Sequence, residues 1–460
     1  MNPLKCEEII KATGGTLVSG RLDREFTDIS TDSRSTGREN LFIPIIGERF
    51  DGHDFISDAF ESGASGCLTQ RDIGPFGDKA VIKVEDTLKA LGDIASYYRQ
   101  KFDIPFVGIT GSVGKTSTKE MVANVLSRKF KVLKTEGNLN NEIGLPLTVL
   151  RLDDSHEAAV VEMGMSGFGE ISRLTSIAKP YVAIITNIGM SHIEKLGSRQ
   201  NILKAKLEIL EGLDKDGLVV LNGDDKLLSG LKGLLKFRTV FYGMDNGVDY
   251  RAESVRTSGE QGSYFDITVQ NCDYEVYIPA PGIHNVHNAL AAIAAGVELG
   301  VPMEEIIKGI AQFSPGKMRL DIISHKGMKI INDAYNASPQ SMEAAISVLK
   351  DVGAGRRTIA VLGDMLEMGD WAYKAHIGVG RFAVQKGIDC IVTVGGNGRN
   401  IAEGALEAGA SPDKVFSFNS NREAAEFLKV FAGDGDVVLV KGSRGMKMEE
   451  IVNRLTADDK

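Results

Sequence analysis

Gly108-Ile-Thr-Gly-Ser-Val-Gly-Lys-Thr-Ser117 is the stretch that decides the fold of this chain. It follows the apolar run Pro105-Phe-Val-Gly-Ile-Thr110, which reads as a buried strand. It opens the segment 119–130, where Met121, Val122, Val125 and Leu126 fall on one helical face. A strand, a glycine-rich turn and a helix start, in that order, make a phosphate cradle. Gly111 and Gly114 let backbone N–H groups turn onto phosphate oxygens, and the helix N-terminus adds partial positive charge. Lys115 is placed to reach the β- and γ-phosphates, and Thr116 to ligate Mg²⁺. The usual pattern has a glycine six positions before its lysine, and here Ile109 stands in that place, so the loop is a variant. The expected ligand is a nucleoside triphosphate, held by Thr110, Gly111, Ser112, Val113, Gly114, Lys115, Thr116 and Ser117.

The rest of the composition sets the context for that site. A length of 460 residues suggests roughly three domains of ~150 residues each. A hydrophobic content of 43% is ample for packed cores. The formal net charge of -9, without any lysine or arginine cluster, argues against a nucleic-acid partner or an anionic membrane surface. The first residues lack the layout of a signal peptide, and no apolar run approaches the ~20 residues that span a bilayer. A cytoplasmic monomer without membrane insertion is expected. Cys6, Cys67, Cys272 and Cys390 lack CxxC pairing, which points to reduced thiols rather than a disulfide framework or a zinc site.

Residues 1–102 alternate short strands and helices and end in a helix over 88–101. Residues 103–313 continue past the phosphate loop with strands at 158–163, 181–188, 218–221 and 239–242 and a helix at 201–213. A β-rich patch at 250–278 precedes helices at 284–299 and 303–313, and Pro315-Gly316 punctuates the chain. Residues 314–460 restart the alternation, with strands at 329–331, 358–362, 390–394 and 437–440 and helices at 341–349, 371–385, 400–407 and 448–455. The expected fold class is therefore α/β in three domains: a small α/β N-terminal domain, a central P-loop-type, mostly parallel sheet with helices on both faces, and a C-terminal Rossmann-like domain. Gly395-Gly-Asn-Gly398 reads as an ordinary strand-to-helix turn.

Several residues outside the loop are candidates for chemistry. Glu162 ends an apolar strand, where a charge is costly unless it is paired, metal-bound or turned outward. His192 follows another strand end and reads as a metal ligand or a solvated loop histidine. Lys206 by spacing alone is one more exposed helical lysine. Asn138, Asn140 and Asn141 crowd a turn that either satisfies its own backbone or orients a substrate. Asn285 and Asn288 stand one helical turn apart, able to offer amides to a base edge or to cap the helix. Asp333 and Asn336 form a polar cluster after a strand, suited to ribose hydroxyls or to an Asx turn.

Taken in order, T-G-S-V-G-K-T-S, T-E-G-N-L-N-N-E-I-G-L-P-L-T, V-E-M-G-M, T-N-I-G-M-S-H, K-A-K-L-E-I, G-I-H-N-V-H-N-A and N-D-A-Y-N-A-S-P resemble the motifs of the Mur ligases over nearly the whole chain. The resemblance implies an ATP- and Mg²⁺-dependent amide ligase whose first domain holds a UDP moiety, whose second is an ATPase and whose third closes over the site. Carried over by motif, Lys115 contacts phosphates, Thr116 and Glu162 bind one Mg²⁺, and His192 binds a second metal. Lys206 falls where relatives carry a carbamylated lysine. Asn288 is similar to the adenine contact, with Asn285 beside it. Arg319 and Asp333, with Asn336, are similar to ribose or phosphate contacts. Ser30, Thr31, Asp32, Ser33 and Arg34, and Gly47, Asp51, Gly52 and His53, resemble uridine-nucleotide loops.

Within the family, Leu362-Gly-Asp-Met365 fits the member that takes UDP-N-acetylmuramoyl tripeptide and D-alanyl-D-alanine, forming an acyl phosphate and then an amide in peptidoglycan precursor synthesis. The alternatives are a ligase adding the third peptide residue, against which the absence of a D-N-P-R-like motif counts, and a folylpolyglutamate synthase. A nucleotide-dependent switch that ligates nothing is a further alternative.

Overall fold

A computed structural model describes residues 1–457 of the chain. They divide into two compact units. One comprises Met1–Thr110, Lys129–Ala183 and Leu207–Leu218; the other comprises Gly111–Arg128, Ile184–Lys206 and everything from Val219 onward.

The first unit begins with a five-stranded sheet in the order Thr16–Ser19, Ala80–Lys83, Gly66–Thr69, Asn40–Phe42, Asp28–Ser30. The first pair is antiparallel and the others are parallel. Phe42, Ile56, Ala59, Ala64, Cys67 and Val81 form its core. Asp86 caps the helix Thr87–Arg99 by accepting from the Lys89 N–H, and the helix buries Ala90, Leu91, Ile94, Ala95 and Tyr98 on one face. Arg99 then ties down the segment that follows. Its guanidinium donates to the carbonyls of Phe102, Ile104 and Ala178 and lies 3.9 Å from the centroid of the Phe106 ring. In the same unit Val132–Lys134, Ala158–Glu162 and Phe106–Thr110 run parallel in that order, with Glu162 level with Ile109. The central sheet numbers seven strands among the described residues.

In the second unit the helix Lys115–Leu126 packs on Ile283–Glu298, and the approach is close. A Cβ on Gly296 would sit 2.6 Å from Val125 Cγ1. Glu253–Thr257, Ser263–Val269 and Cys272–Ile278 form a small antiparallel sheet, which is the β-rich patch expected at 250–278. The C-terminal sheet has the order Asp321–His325, Met328–Asp333, Val437–Lys441, Thr358–Gly363, Cys390–Val394, Val415–Phe418, parallel except for the first pair. Its three middle strands are buried along their whole length, which is why they read as unbroken apolar runs rather than alternating ones.

The structure corrects some element boundaries and adds elements. The helix expected at 201–213 is an α-helix only over Arg199–Leu207 and continues as a 3-10 turn, Glu208–Gly212. The strand expected at 181–188 stops at Ile185, because Thr186 and Asn187 leave the ladder to bind the phosphate loop. Asp321–His325, Val415–Phe418, Glu170–Ala178 and Asn421–Phe431 are further elements. Val415–Phe418 is a partly exposed edge strand without the apolar run of a central one. It is covered by Phe427 and Phe431, whose rings lie 4.6 and 5.2 Å from that of Phe416.

Candidate active site

The phosphate loop is shaped by the backbone it packs against. Gly111 has φ 152, and a Cβ there would fall 1.8 Å from Thr186 Oγ1. Only a glycine fits that space. The Ser112 N–H donates to Asn187 O and the Val113 N–H to Asn187 Oδ1, both at 3.0 Å. Val113 O accepts from Thr186 Oγ1 at 2.6 Å and from Asn187 Nδ2 at 2.9 Å. The Gly189 N–H donates to Ser112 Oγ at 2.8 Å. Gly114, at φ 87, opens the helix Lys115–Leu126 without a side-chain cap, which leaves the helix N-terminus suited to an anion. Lys115 Nζ donates to Gly111 O at 2.8 Å, folded back over the loop.

Gly111→Ala is expected to cost about 1–3 kcal/mol of stability through overpacking and to remove nucleotide binding. Urea unfolding and ADP titration check both outcomes, and an alanine variant that binds ADP normally would show that the Thr186 contact does not shape the loop.

In the first unit the strand end carries the acid. Glu162 is only 2% exposed. Its N–H donates to Thr135 Oγ1 at 3.0 Å, and its Oε1 accepts from Asn140 Nδ2 at 2.8 Å. Thr110 Oγ1, at the end of the neighbouring strand, is buried without a partner. The asparagine-rich turn therefore divides its labour. Asn140 orients Glu162, Asn141 Oδ1 accepts from the Gly144 N–H at 2.9 Å at the start of the helix Gly144–Val149, and Asn138 contributes its carbonyl to the Asn140 N–H.

In the second unit Lys206 is 2% exposed, and among the described residues nothing pairs with its ammonium. Burial first and the Lys115 charge second drive its pKa well below the usual lysine value. The lysine that helical spacing suggests is exposed is thus buried, with its charged form disfavoured by desolvation. His192 has φ 61 at the start of the short helix Ile193–Leu196, and its Nδ1 lies 2.5 Å from Glu367 Oε2. Burial lowers the imidazole pKa more than Glu367 raises it, and Lys115 and Lys206 lower it further.

The remaining nucleotide candidates are held by the protein itself. Asn288 accepts from Thr118 Oγ1 at 3.0 Å and donates to Asn285 Oδ1 at 3.1 Å, while Asn285 donates to Pro281 O at 2.8 Å. Their amides join two helices. Asp333 takes the buried Lys441 ammonium at 2.5 Å and the Leu320 N–H at 3.1 Å; Lys441 also donates to Asn336 O. Arg319 lies 3.9 Å from the centroid of the Tyr335 ring, and Asn336 Oδ1 accepts from the Ala337 N–H. Lys441, Glu367, Gln340, Thr186 and Asn187 belong to these networks without a sequence signal of their own, except that Thr186 and Asn187 stand inside the T-N-I-G-M-S-H motif.

The two N-terminal loops follow the adjacent parallel strands Asp28–Ser30 and Asn40–Phe42, the edge where α/β sheets place ligands. In one, Asp32 accepts from the Arg34 N–H and from its guanidinium, which hold the Asp32 pKa at about 2; Ser30 Oγ donates to Asp32 O, and Ser33 opens a 3-10 turn after Thr31. In the other, Gly47 N–H bonds Phe50 O and Gly52 N–H bonds Ile45 O, leaving Phe50 exposed at the tip. Asp51 accepts from the His53 N–H and from Arg71, and His53 Nε2 accepts from the Gln70 N–H at 3.0 Å. That last bond places the His53 proton on Nδ1, toward Asp51 Oδ1 at 2.6 Å.

Among the described residues no group of three or more His, Cys, Asp or Glu side chains could hold a metal. Mg²⁺ takes one or two protein oxygens and completes its shell with water and phosphate. The Thr116 hydroxyl and the Glu162 carboxylate are oxygen donors of this kind. No described helix is long and apolar enough to cross a membrane.

Three family models match the chain: "Mur ligase family, catalytic domain" over residues 25–99, "Mur ligase middle domain" over 109–296 and "Mur ligase, glutamate ligase domain" over 318–444. The chain is 43% identical over 452 residues to the UDP-N-acetylmuramoyl-tripeptide–D-alanyl-D-alanine ligase of Bacillus subtilis (strain 168), covering 98% of this chain and 97% of that one. A crystal structure of MurF from Acinetobacter baumannii superposes with a TM-score of 0.91 at 33% identity, covering 99% of both chains. MurF from Thermotoga maritima, in complex with ADP, superposes with a TM-score of 0.82 at 28% identity, covering 93% of this chain and 97% of that one.

Proposed function

This chain belongs to the Mur ligase family, and we propose that within it the protein joins D-alanyl-D-alanine to the terminal carboxylate of UDP-N-acetylmuramoyl tripeptide, converting ATP to ADP and phosphate. The observation that carries this reading is the 43% identity to a ligase of that name along 98% of the chain.

The chemistry explains the parts. A carboxylate resists an amine because its oxygen leaves poorly, so ATP first makes an acyl phosphate, and attack by the dipeptide amine then expels phosphate. No protein nucleophile is required. Catalysis rests on holding three reactants in line and cancelling negative charge. Lys115 and the loop amides would hold the triphosphate, Thr116 and Glu162 would hold Mg²⁺, and His192 would take a second metal. Bound Mg²⁺ would supply charge neutralisation at the β- and γ-phosphates.

Lys206, whose ammonium form is disfavoured by burial, reacts as the free amine with CO₂ to give a carbamate and a proton; the new anion then faces Lys115. Asn285, Asn288, Arg319, Asp333 and Asn336 border the nucleotide site. The loops at 30–34 and 47–53 take the uridine nucleotide. Residues 1–102, 103–313 and 314–460 are the working domains of a cytoplasmic, monomeric enzyme of peptidoglycan precursor synthesis.

A coupled phosphate-release assay tests the reading. Release is expected only when UDP-N-acetylmuramoyl tripeptide, D-alanyl-D-alanine, ATP and Mg²⁺ are all present. Turnover of a UDP-linked dipeptide with free L-lysine or diaminopimelate would instead identify a ligase for the third residue. Vigorous hydrolysis of ATP alone would identify a switch.

A further inference from the structure

Two neighbouring strands of the C-terminal sheet, Val437–Lys441 and Thr358–Gly363, run parallel and end in loops that are tied together. The first continues into the helix Glu449–Thr456, which with Asn421–Phe431 packs on the face carrying Ile359, Val361, Val438 and Val440. The second continues into Ala372–Gln385, which packs on Gly398–Glu407 so closely that a Cβ on Gly380 would lie 1.9 Å from Ile401 O. Adjacent strands whose chains leave for different helix pairs open a crevice at their carboxyl ends, and α/β sheets bind ligands there. Across it the Leu366 N–H donates to Ser443 Oγ at 2.9 Å and the Ser443 N–H to Asp364 O at 3.0 Å. The same loop reaches the phosphate site: the Glu194 N–H donates to Glu367 O, and Ser191 Oγ donates to Ser112 O, each at 3.3 Å. Arg444 stands on the rim of this crevice with its side chain 56% exposed. Its Nη1 donates to Glu449 Oε1 at 2.9 Å and to Met318 Sδ at 3.7 Å, and among the described residues Nε and Nη2 have no hydrogen-bond partner. Leu366, against which Gly445 packs, is an exposed apolar side chain beside it. Lys441, three residues earlier, is buried and committed to Asp333 and Asn336 O.

We propose that Arg444 binds the carboxylate of the incoming D-alanyl-D-alanine, with Leu366 against its methyl groups, and so selects a dipeptide as the acceptor. This inference rests on the proposed ligase function. The dipeptide has an amine that must reach the acyl phosphate and, at its other end, a carboxylate that the phosphate oxygens repel. A cation one loop away from the phosphate loop answers the second requirement without competing for the first. A guanidinium meets a carboxylate through two parallel N–H···O bonds and is more weakly hydrated than an ammonium, so the pair forms at a lower desolvation cost. Glu449 fixes Nη1, which leaves less side-chain freedom to lose when the dipeptide binds. Anchored by its carboxylate, a free amino acid falls about 3.5 Å, one residue's length, short of the position that the dipeptide amine reaches.

The test compares D-alanyl-D-alanine with D-alanyl-D-alaninamide, which lacks the carboxylate, as acceptors for the full-length wild type, Arg444→Gln, Arg444→Lys and, as a control on another exposed cation of the same loop, Lys447→Gln. The wild type is expected to prefer the acid about 100-fold in kcat/KM. In Arg444→Gln that preference should collapse toward 1, through a raised KM for the dipeptide, with KM for ATP and for UDP-N-acetylmuramoyl tripeptide unchanged. Arg444→Lys should recover part of it, since a point charge lacks the fork, and Lys447→Gln should keep it. A merely structural role for Arg444 would slow both acceptors equally. An active wild type whose preference for the acid survives Arg444→Gln, or is lost in Lys447→Gln instead, overturns the inference alone. A wild type silent with D-alanyl-D-alanine overturns the proposed function and the inference with it.

Discussion

Lys115→Ala is expected to lower kcat/KM for ligation on the order of 10³-fold, about 4 kcal/mol of transition-state stabilisation, while leaving the fold intact. The lysine is the cation of the phosphate loop, and its Nζ reaches back to the Gly111 carbonyl at 2.8 Å. A bound γ-phosphate would compete for that ammonium, and the charge that develops as the phosphoryl group transfers would hold it more strongly than the ground state does. Alanine keeps the first helical turn, since it is the best helix former. The thermal midpoint should therefore move little while turnover disappears. Phosphate release at saturating substrates, set beside a circular dichroism melt, separates the two outcomes. Unimpaired turnover would remove the loop from the mechanism.

Lys206→Met has the second large effect, and it should move activity and stability in opposite directions. The wild-type side chain is buried, has no acidic partner among the described residues, and faces the Lys115 charge. Methionine fills a similar volume without an ammonium to desolvate, so in CO₂-free buffer the variant should gain on the order of 1 kcal/mol at neutral pH. Ligation should fall about 100-fold or more, because no carbamate can form.

The sign with pH follows from linkage. The folded-state pKa lies below the unfolded value, so between the two the unfolded chain binds the extra proton and wild-type stability rises with pH. That rise ends near the ordinary lysine pKa of 10.5, and Lys206→Met should lack it. Urea unfolding from pH 7 to 10 measures the difference. A ¹³C carbamate resonance in ¹³C-bicarbonate, present in wild type and absent from the variant, reports the modification directly. Equal activity of the two proteins would exclude a role for the amine.

The nucleotide loop was legible before any tertiary contact because its requirements are local. Gly111 and Gly114 answer to backbone dihedrals, and Lys115 and Thr116 to a helix start. The middle strands of the C-terminal sheet were legible because burial on both faces leaves unbroken apolar runs. The helix Asn421–Phe431 was missed although Ser420 and Glu423 mark its start; Ser420 Oγ does accept from the Glu423 N–H. Of the three asparagines after Val132–Lys134, the pattern located the turn but did not show that Asn140 alone would orient Glu162.

Local sequence was enough for the α/β class and, through its ordered motifs, the family, and it located the candidate phosphate loop. Each of these is written in short-range geometry: strand and helix periods, glycines at positive φ, a lysine and a threonine at fixed offsets. Only the tertiary structure decided the electrostatic state of the site. The Lys206 pKa is lowered because distant segments exclude water from it. Asp333 is committed to Lys441, 108 residues away. The Asn288 amide is engaged by Thr118, 170 residues away, and His192 meets the carboxylate of Glu367, far along the chain in the same unit. Desolvation and charge pairing depend on which remote groups share a space, and a period or a motif does not record that.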